Sequence, residues 1–305
     1  MKTRYTALVL SLCTLAALSS CSKDEFPRPT YSLATTTKMG KKIVEGAAGY
    51  FGHIKSDSQK TLGPGVSLLD LSYLNMNGYA MQMYVYSVSL SSAAVTVTTP
   101  GNSTSPGSVQ KLSEQVAALS VYTTVYGAVN GDSYIASSLQ PTGIMFRDGA
   151  ALKSTFSDAT GGYFAILKDG SATIGAQDDY STYRKSIQHA VGTKVQILKD
   201  GFFLPQSDTK AAARTAVAIS QDGMTLWLIV VDGVYFYYSN GITYEDLSKI
   251  MLACGAYNGA VLESGDQTTL VVKDPLAETG YKVGNLPSNK GLEQNVVNGL
   301  AIISY

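Results

Sequence analysis

"RTAVAISQDGMTLWLIVVDG", residues 214–233, reads as two strands folded about one turn. Arg214 leads a run of small and β-branched residues, and Leu226–Val231 is an unbroken apolar run of strand length. Between them Asp222-Gly223 has turn chemistry, because glycine accepts positive φ and aspartate bonds its own backbone. A two-residue turn there sets Arg214 opposite Val231. The guanidinium and the Asp232 carboxylate then share one end of the hairpin. Whether they share a face depends on the register, since a slip of one residue reverses every side chain.

Downstream, Tyr244–Cys254 is predicted as a helix. Thr243 caps it with Asp246 three residues on, Leu247, Ile250, Met251 and Cys254 form its apolar stripe, and Gly255 stops it. Cys254 is therefore a buried helix residue rather than a reactive thiol. Strands follow at 259–262, 268–272 and 296–303, and the first of them runs into Glu263. Upstream, two strand-like runs flank Asn77-Gly78, a two-residue hairpin signal, and "AAVTVTT" is a further strand. Val109, Leu112, Val116 and Leu119 recur at helical spacing, and "VYTTVYGAV" reads as a buried strand leading into Asn130-Gly131-Asp132. Further Asp-Gly pairs at 148, 169 and 200 punctuate the middle. The expected fold class is α+β, a strand-rich mixed sheet system with a few amphipathic helices and no repeat of fixed length.

The N-terminus has a different character. Lys2 and Arg4 precede an apolar run, Thr6–Leu18, too short to span a bilayer stably. The run ends in Leu18-Ser19-Ser20-Cys21, which resembles a bacterial lipobox, and Ser22-Lys23-Asp24-Glu25 resembles the acidic export tag of Bacteroidetes surface lipoproteins. The expected organisation is a signal peptide over 1–20, a tether over 21–40 with Cys21 lipidated, and one domain over 41–305. Localisation then follows as an outer-membrane lipoprotein, surface-exposed or otherwise periplasmic. Loss of the signal removes two basic residues and leaves 21 basic against 23 acidic. With no basic stripe, no nucleic-acid partner is expected. Only Cys254 remains besides the anchor, which excludes an internal disulfide or a Cys-rich zinc site.

The two histidines, His53 and His189, lie in no metal or triad spacing, and His189 is read as a surface residue in a loop-like segment. No phosphate-binding glycine loop follows a strand. Carboxylates, amides and one arginine at strand ends remain: Asn130, Asp132, Arg214, Asp232, Glu263 and Asp266. Residues that end buried strands emerge at a sheet rim, where clefts form. The alternative is an ordinary ion pair with turn carboxylates.

The order of features from Arg214 to "GAVLESG" resembles the phosphodiester glycosidase family. "GAVNGDSYIAS" resembles that family's Asn-Gly-Gly-Phe-Phe segment, "PTGIMFRDG" the hairpin after it, and "VVNGLAI" its closing strand. The resemblance covers residues 64–304 and implies a hydrolase of a sugar-1-phosphodiester or related glycan linkage. Carried over by position, Glu263, Asp232 and Arg214 are the expected catalytic residues, with Asn130, Asp132, Gly265, Asp266 and Asn298 binding substrate. Arg214 suits a phosphate through two parallel N–H bonds, and a carboxylate stabilises an oxocarbenium-like state. The chain departs from the family at Glu263-Ser264-Gly265-Asp266-Gln267-Thr268, where Asp-Gly-Gly-Gly-Ser-Ser is usual, and at Asp132-Ser133-Tyr134. No cofactor is expected, although Asp132, Asp232, Glu263 and Asp266 together have the oxygen ligands for Ca²⁺. Two rival readings stay open: a surface glycan-binding lipoprotein with a diverged catalytic loop, using Tyr235, Tyr237 and Tyr238, and a structural envelope protein.

Overall fold

The computed structural model describes residues 30–157, 159 and 161–305. The signal segment, Cys21 and its lipidation, and the tether as far as residue 29 lie outside the described residues. Ser32–Tyr305 forms one compact unit. Thr36 and Thr37, expected in the tether, are already fastened to it: their backbone N–H groups donate to the Asp57 carboxylate at 2.7–3.1 Å.

An eight-stranded sheet is the frame. Its order is Phe51–Gly63, Val66–Asn75, Ala80–Ser89, Thr225–Val231, Arg214–Ile219, Asn258–Val261, Val195–Lys199 and Phe202–Phe203. The quoted hairpin lies at its centre with Arg214 opposite Val231, as the two-residue turn requires. Leu69, Leu71, Met81, Met83, Ala216, Ala218, Ile229 and Val231 face two helices, Lys38–Gly46 and Tyr244–Cys254. The alternate residues Tyr84, Tyr86, Val88, Val217, Ile219, Leu228 and Val230 face the opposite way. This period of two makes a central strand such as Ala80–Ser89 apolar on both faces.

Two five-stranded sheets cover that second face. One holds Ala94–Thr98, Gly299–Ile303, Val125–Asn130, Leu270–Lys273 and Tyr281–Val283, and its outer face carries the helix Leu112–Ser120. The other holds Met145–Arg147, Ala150–Lys153, Gly162–Leu167, Ala172–Ala176 and Ile187–Thr193. Cores on both faces of the frame thus exclude water from three stacked layers, each fully buried large apolar side chain contributing roughly 1.5–3 kcal/mol.

The sheets are not mixed: every pairing between described strands is antiparallel. Hairpins account for eight of the seventeen pairings, and no helix carries the chain over to a parallel partner. The helix Tyr244–Cys254 has its expected bounds. Thr243 Oγ1 accepts from Asp246 N, and Gly255 closes it at φ 96°. The Asn77-Gly78 hairpin is wider than two residues, because the Asn75 side chain accepts from Asn77 N and Tyr79 N and enlarges the turn. His189 lies in the strand Ile187–Thr193, not in a loop, with a side chain only 12% exposed. Burial there holds its imidazole below the usual pKa, against the opposing pull of Asp148. Buried Cys254 has its thiol pushed up to about 12 by burial.

Candidate active site

Four strand ends drawn from all three large sheets meet at one rim. Asp132 lies just past Val125–Asn130, Gly162 opens one strand, Thr193 closes another, and Glu263 follows Asn258–Val261. Together with Ser133, Thr142, Gly143, Phe156, Gly161 and Lys194 they line a cleft of about 240 Å³.

Glu263 leaves its sheet at a defined point. Ala216 pairs with Val261 and Leu262 N donates to Thr215 O at 2.8 Å, so one further step of the ladder would set Glu263 against Arg214. Instead Glu263 N donates to Gly131 O at 2.9 Å, and the chain turns toward Asp132. Its carboxylate Oε1 receives Lys194 Nζ at 3.0 Å and Ser264 N at 2.9 Å. A positive charge and a backbone donor thus hold this oxygen in place.

Asp132 has a drier setting. It is 4% exposed, Oδ2 accepts from Gly143 N at 2.6 Å, and its own N–H donates to Asn298 Oδ1 at 2.8 Å. Burial raises its pKa to about 7; the N–H groups of Gly143 and Ser133 and the charge of Lys153 oppose that rise, and Glu263 adds to it. The cleft thus pairs a buried carboxyl whose pKa is raised to about 7 with a carboxylate held in an ion pair, an arrangement suited to supplying an acid and a base together. Glycines make the close approach possible. A Cβ at Gly192 would lie 2.5 Å from Asp132 Oδ2, and one at Gly143 would lie 2.5 Å from Gly192 Cα.

Asn130 and Asn298 are fully buried behind the cleft and serve as braces. Asn130 Nδ2 donates to Glu263 O at 2.7 Å, while its Oδ1 accepts from Thr215 Oγ1 at 2.6 Å and Thr269 N at 3.0 Å. Asn298 ties Gly131 and Asp132 to the closing strand.

The other expected residues lie elsewhere. Arg214 is buried on the helix face, its guanidinium 4.1 Å from the Tyr244 ring centroid. Its Nη1 donates to Tyr244 Oη at 3.0 Å, and Nη2 meets Lys210 O at 3.0 Å and Asp208 Oδ2 at 3.4 Å. Asp232, one residue past Val231, falls on the opposite face by strand parity. It accepts from Asn285 Nδ2, Leu286 N and Tyr238 Oη at 2.8–3.2 Å, and burial raises its pKa to about 6. The two share a hairpin end but no face, and neither lines the cleft. Gly265 begins a short 3-10 turn at φ 68° with Asp266 exposed on it. Gly265 N donates to Ala213 O at 3.0 Å, so this turn caps the start of the Arg214 strand. Among the described residues no group of three His, Cys, Asp or Glu side chains has metal-ligating proximity, and the four carboxylates expected around Ca²⁺ do not gather.

Lys194 and Thr193 escaped the sequence reading. Their signal was the strand-like run "HAVGTK" ending in a cation, hidden because the segment was read as a loop.

The sequence profile of the phosphodiester glycosidase family matches residues 123–303, more than half of the chain and all four strand ends of the cleft. The chain belongs to the phosphodiester glycosidase family. Solved structures with the same fold agree with this membership. The catalytic domain of zebrafish N-acetylglucosamine-1-phosphodiester alpha-N-acetylglucosaminidase, auto-inhibited by its pro-peptide, superposes with a TM-score of 0.60 at 18% identity, over 82% of this chain and 88% of that one. A protein from Synechocystis gives 0.62 at 10% identity over 79% of this chain, which spans 62% of that longer protein. A protein from Burkholderia pseudomallei K96243 described as exported gives 0.56 at 12% identity, over 74% of each chain. No curated protein matches the sequence of this family member.

Proposed function

We propose that this phosphodiester glycosidase-like hydrolase cleaves a glycosyl 1-phosphodiester in the Asp132–Glu263 cleft. The observation that carries the reading is the pairing of a buried carboxyl with a pKa of about 7 and an ion-paired carboxylate in one cavity. The Glu263 carboxylate stabilises positive charge on the anomeric carbon and orients a water toward it. Asp132, carrying a proton, donates it to the departing phosphoryl oxygen. Water forms the new C1–O bond as the C1–O(phosphate) bond breaks. The bonding pair leaves on the phosphate, and the water proton passes to the carboxylate. Free sugar and a phosphate monoester result. Lys194, exposed beside Glu263, brings the positive charge that a phosphodiester needs at the cleft. Arg214, carried over as the phosphate ligand, is held on the helix face by Tyr244, Lys210 O and Asp208, and would have to leave all three to meet a substrate in this cleft.

The zebrafish relative's name supplies the first substrate to try, an α-N-acetylglucosaminyl phosphodiester. Purified protein is expected to release sugar from it, and failure with every α-glycosyl phosphodiester of a panel would remove the hydrolytic reading. A second reading, glycan binding without turnover, draws on the altered turn from Ser264 to Gln267 and on exposed Phe236 and Tyr237. Saturable binding of glycans with no release would favour it. Metabolic labelling with a fatty acid would test lipidation at Cys21, and membrane fractionation would test the expected outer-membrane location.

A further inference from the structure

Buried hydroxyl groups in this interior are mostly partnered: Thr215 donates to Asn130, Thr98 to Gln115, and Tyr86 to the Val271 carbonyl. Thr193 Oγ1 is buried without any partner. The residue is 4% exposed, ends its strand at the rim and lines the cleft beside Asp132 and Glu263. Leaving a buried hydroxyl unmade is costly, and an isosteric valine would remove that cost. A threonine there makes sense when something polar enters the cavity. Its cross-strand partner Gly162 puts no side chain over it: a Cβ there would lie 3.2 Å from Thr193 Oγ1.

Cavity size narrows what enters. Pockets for drug-sized ligands run to roughly 300–1,000 Å³, and this cleft of about 240 Å³ lies below them. One sugar ring fits, and the phosphodiester and its far substituent must extend outward past Lys194.

We infer that Thr193 is a positioning residue for the glycon, its Oγ1 hydrogen-bonding one ring hydroxyl of a single pyranose seated against Asp132 and Glu263. The inference rests on the hydrolytic reading above for the identity of the ligand as a sugar. It makes the enzyme selective for a pyranose bearing that hydroxyl over its deoxy analogue. Such selectivity arises because the analogue leaves the buried hydroxyl unpaired.

The test compares Thr193→Val and Thr193→Ser with wild type. The probes are the 1-phosphates of N-acetylglucosamine, glucose, galactose and mannose, followed by the monodeoxy analogues of whichever binds. Equilibrium binding by calorimetry and thermal unfolding are both read. Thr193→Val is expected to hold or raise the unfolding temperature while weakening sugar binding roughly ten-fold. For one monodeoxy analogue that penalty should vanish, and Thr193→Ser should restore binding. Unchanged sugar binding in Thr193→Val, an equal penalty across all analogues, or no binding of any of the four sugar phosphates would overturn it. Thr193-dependent binding without hydrolysis would sink the hydrolytic reading and leave this inference standing. Hydrolysis indifferent to Thr193→Val would do the reverse.

Discussion

The side-chain amide of Asn130 donates to the main-chain carbonyl of Glu263 at 2.7 Å, across 133 residues of sequence. One amide thereby fixes where the Arg214 sheet releases its acid. The same side chain satisfies Thr215 and Thr269, so two sheets and the acidic loop share one brace. Asn130→Leu would strand a hydroxyl, an N–H and a carbonyl in the interior. A loss of about 2–4 kcal/mol is expected by denaturant unfolding. Asn130→Ala, which also opens space for water, should cost less while still releasing Glu263 and lowering turnover.

Glu263→Gln keeps an oxygen for Ser264 N–H but removes the charge that faces Lys194. Sugar release from an α-glycosyl phosphodiester should fall by roughly 10²–10⁴ with little change in unfolding temperature. Retained activity would remove Glu263 from the reaction.

Asp132 gives the pH dependence. Burial raises its pKa to about 7 in the fold, from an ordinary 3.8. Between those values the unfolded chain ionises while the folded one keeps its proton. Stability from this group therefore falls as pH rises through the window and levels off above about 7. At pH 8 Asp132→Asn should unfold at a higher temperature than wild type, and below about pH 4 the two should converge. As general acid the same group sets a falling limb in kcat/KM near pH 7, and Asp132→Asn should abolish that limb with most of the activity.

Gly192→Ala tests the packing around that carboxyl. The new methyl carbon would sit 2.5 Å from Asp132 Oδ2 and 2.7 Å from Gly143 Cα. A destabilisation of about 1–3 kcal/mol is expected. The falling limb of the pH profile should move as well, because the Gly143 N–H bond to Asp132 is displaced.

Arg214→Lys separates a structural from a chemical role. Lysine cannot reproduce both the stacking on Tyr244 and the forked contacts to Lys210 O and Asp208. Thermal unfolding should drop in Arg214→Lys. A rise in KM specific to phosphodiester substrates, absent with neutral aryl glycosides, would show that the guanidinium also reaches phosphate.

Parts of this architecture were written locally and parts were not. The hairpin register from Arg214 to Val231 follows from one Asp-Gly turn, and the helix Tyr244–Cys254 from its stripe and both caps. The strand Phe51–Gly63 was silent because it runs along a sheet edge, half in water, with "KSDSQK" in place of alternation. The strand holding His189 was obscured by its polar start. At the site, residue types at strand ends were legible, but their faces were not. Arg214 and Asp232 part company because adjacent parities of one hairpin point to opposite layers. Asp132 and Glu263 meet only because separate sheets converge, a relationship without any local signature. Asn285, 53 residues from Asp232, could be found only in three dimensions.

The eight-stranded sheet ends in two dissimilar strands. Phe51–Gly63 carries three register shifts and exposed Lys55 and Lys60, whereas the far edge, Phe202–Phe203, is two residues long. Neither edge offers a long, flat row of open N–H and C=O groups for another chain to extend. A protein this rich in strands would otherwise be prone to edge-to-edge growth when concentrated. Its frame is instead self-terminating, so straightening the bulged first strand, more than unsettling the core, is the change that should turn it toward fibrils.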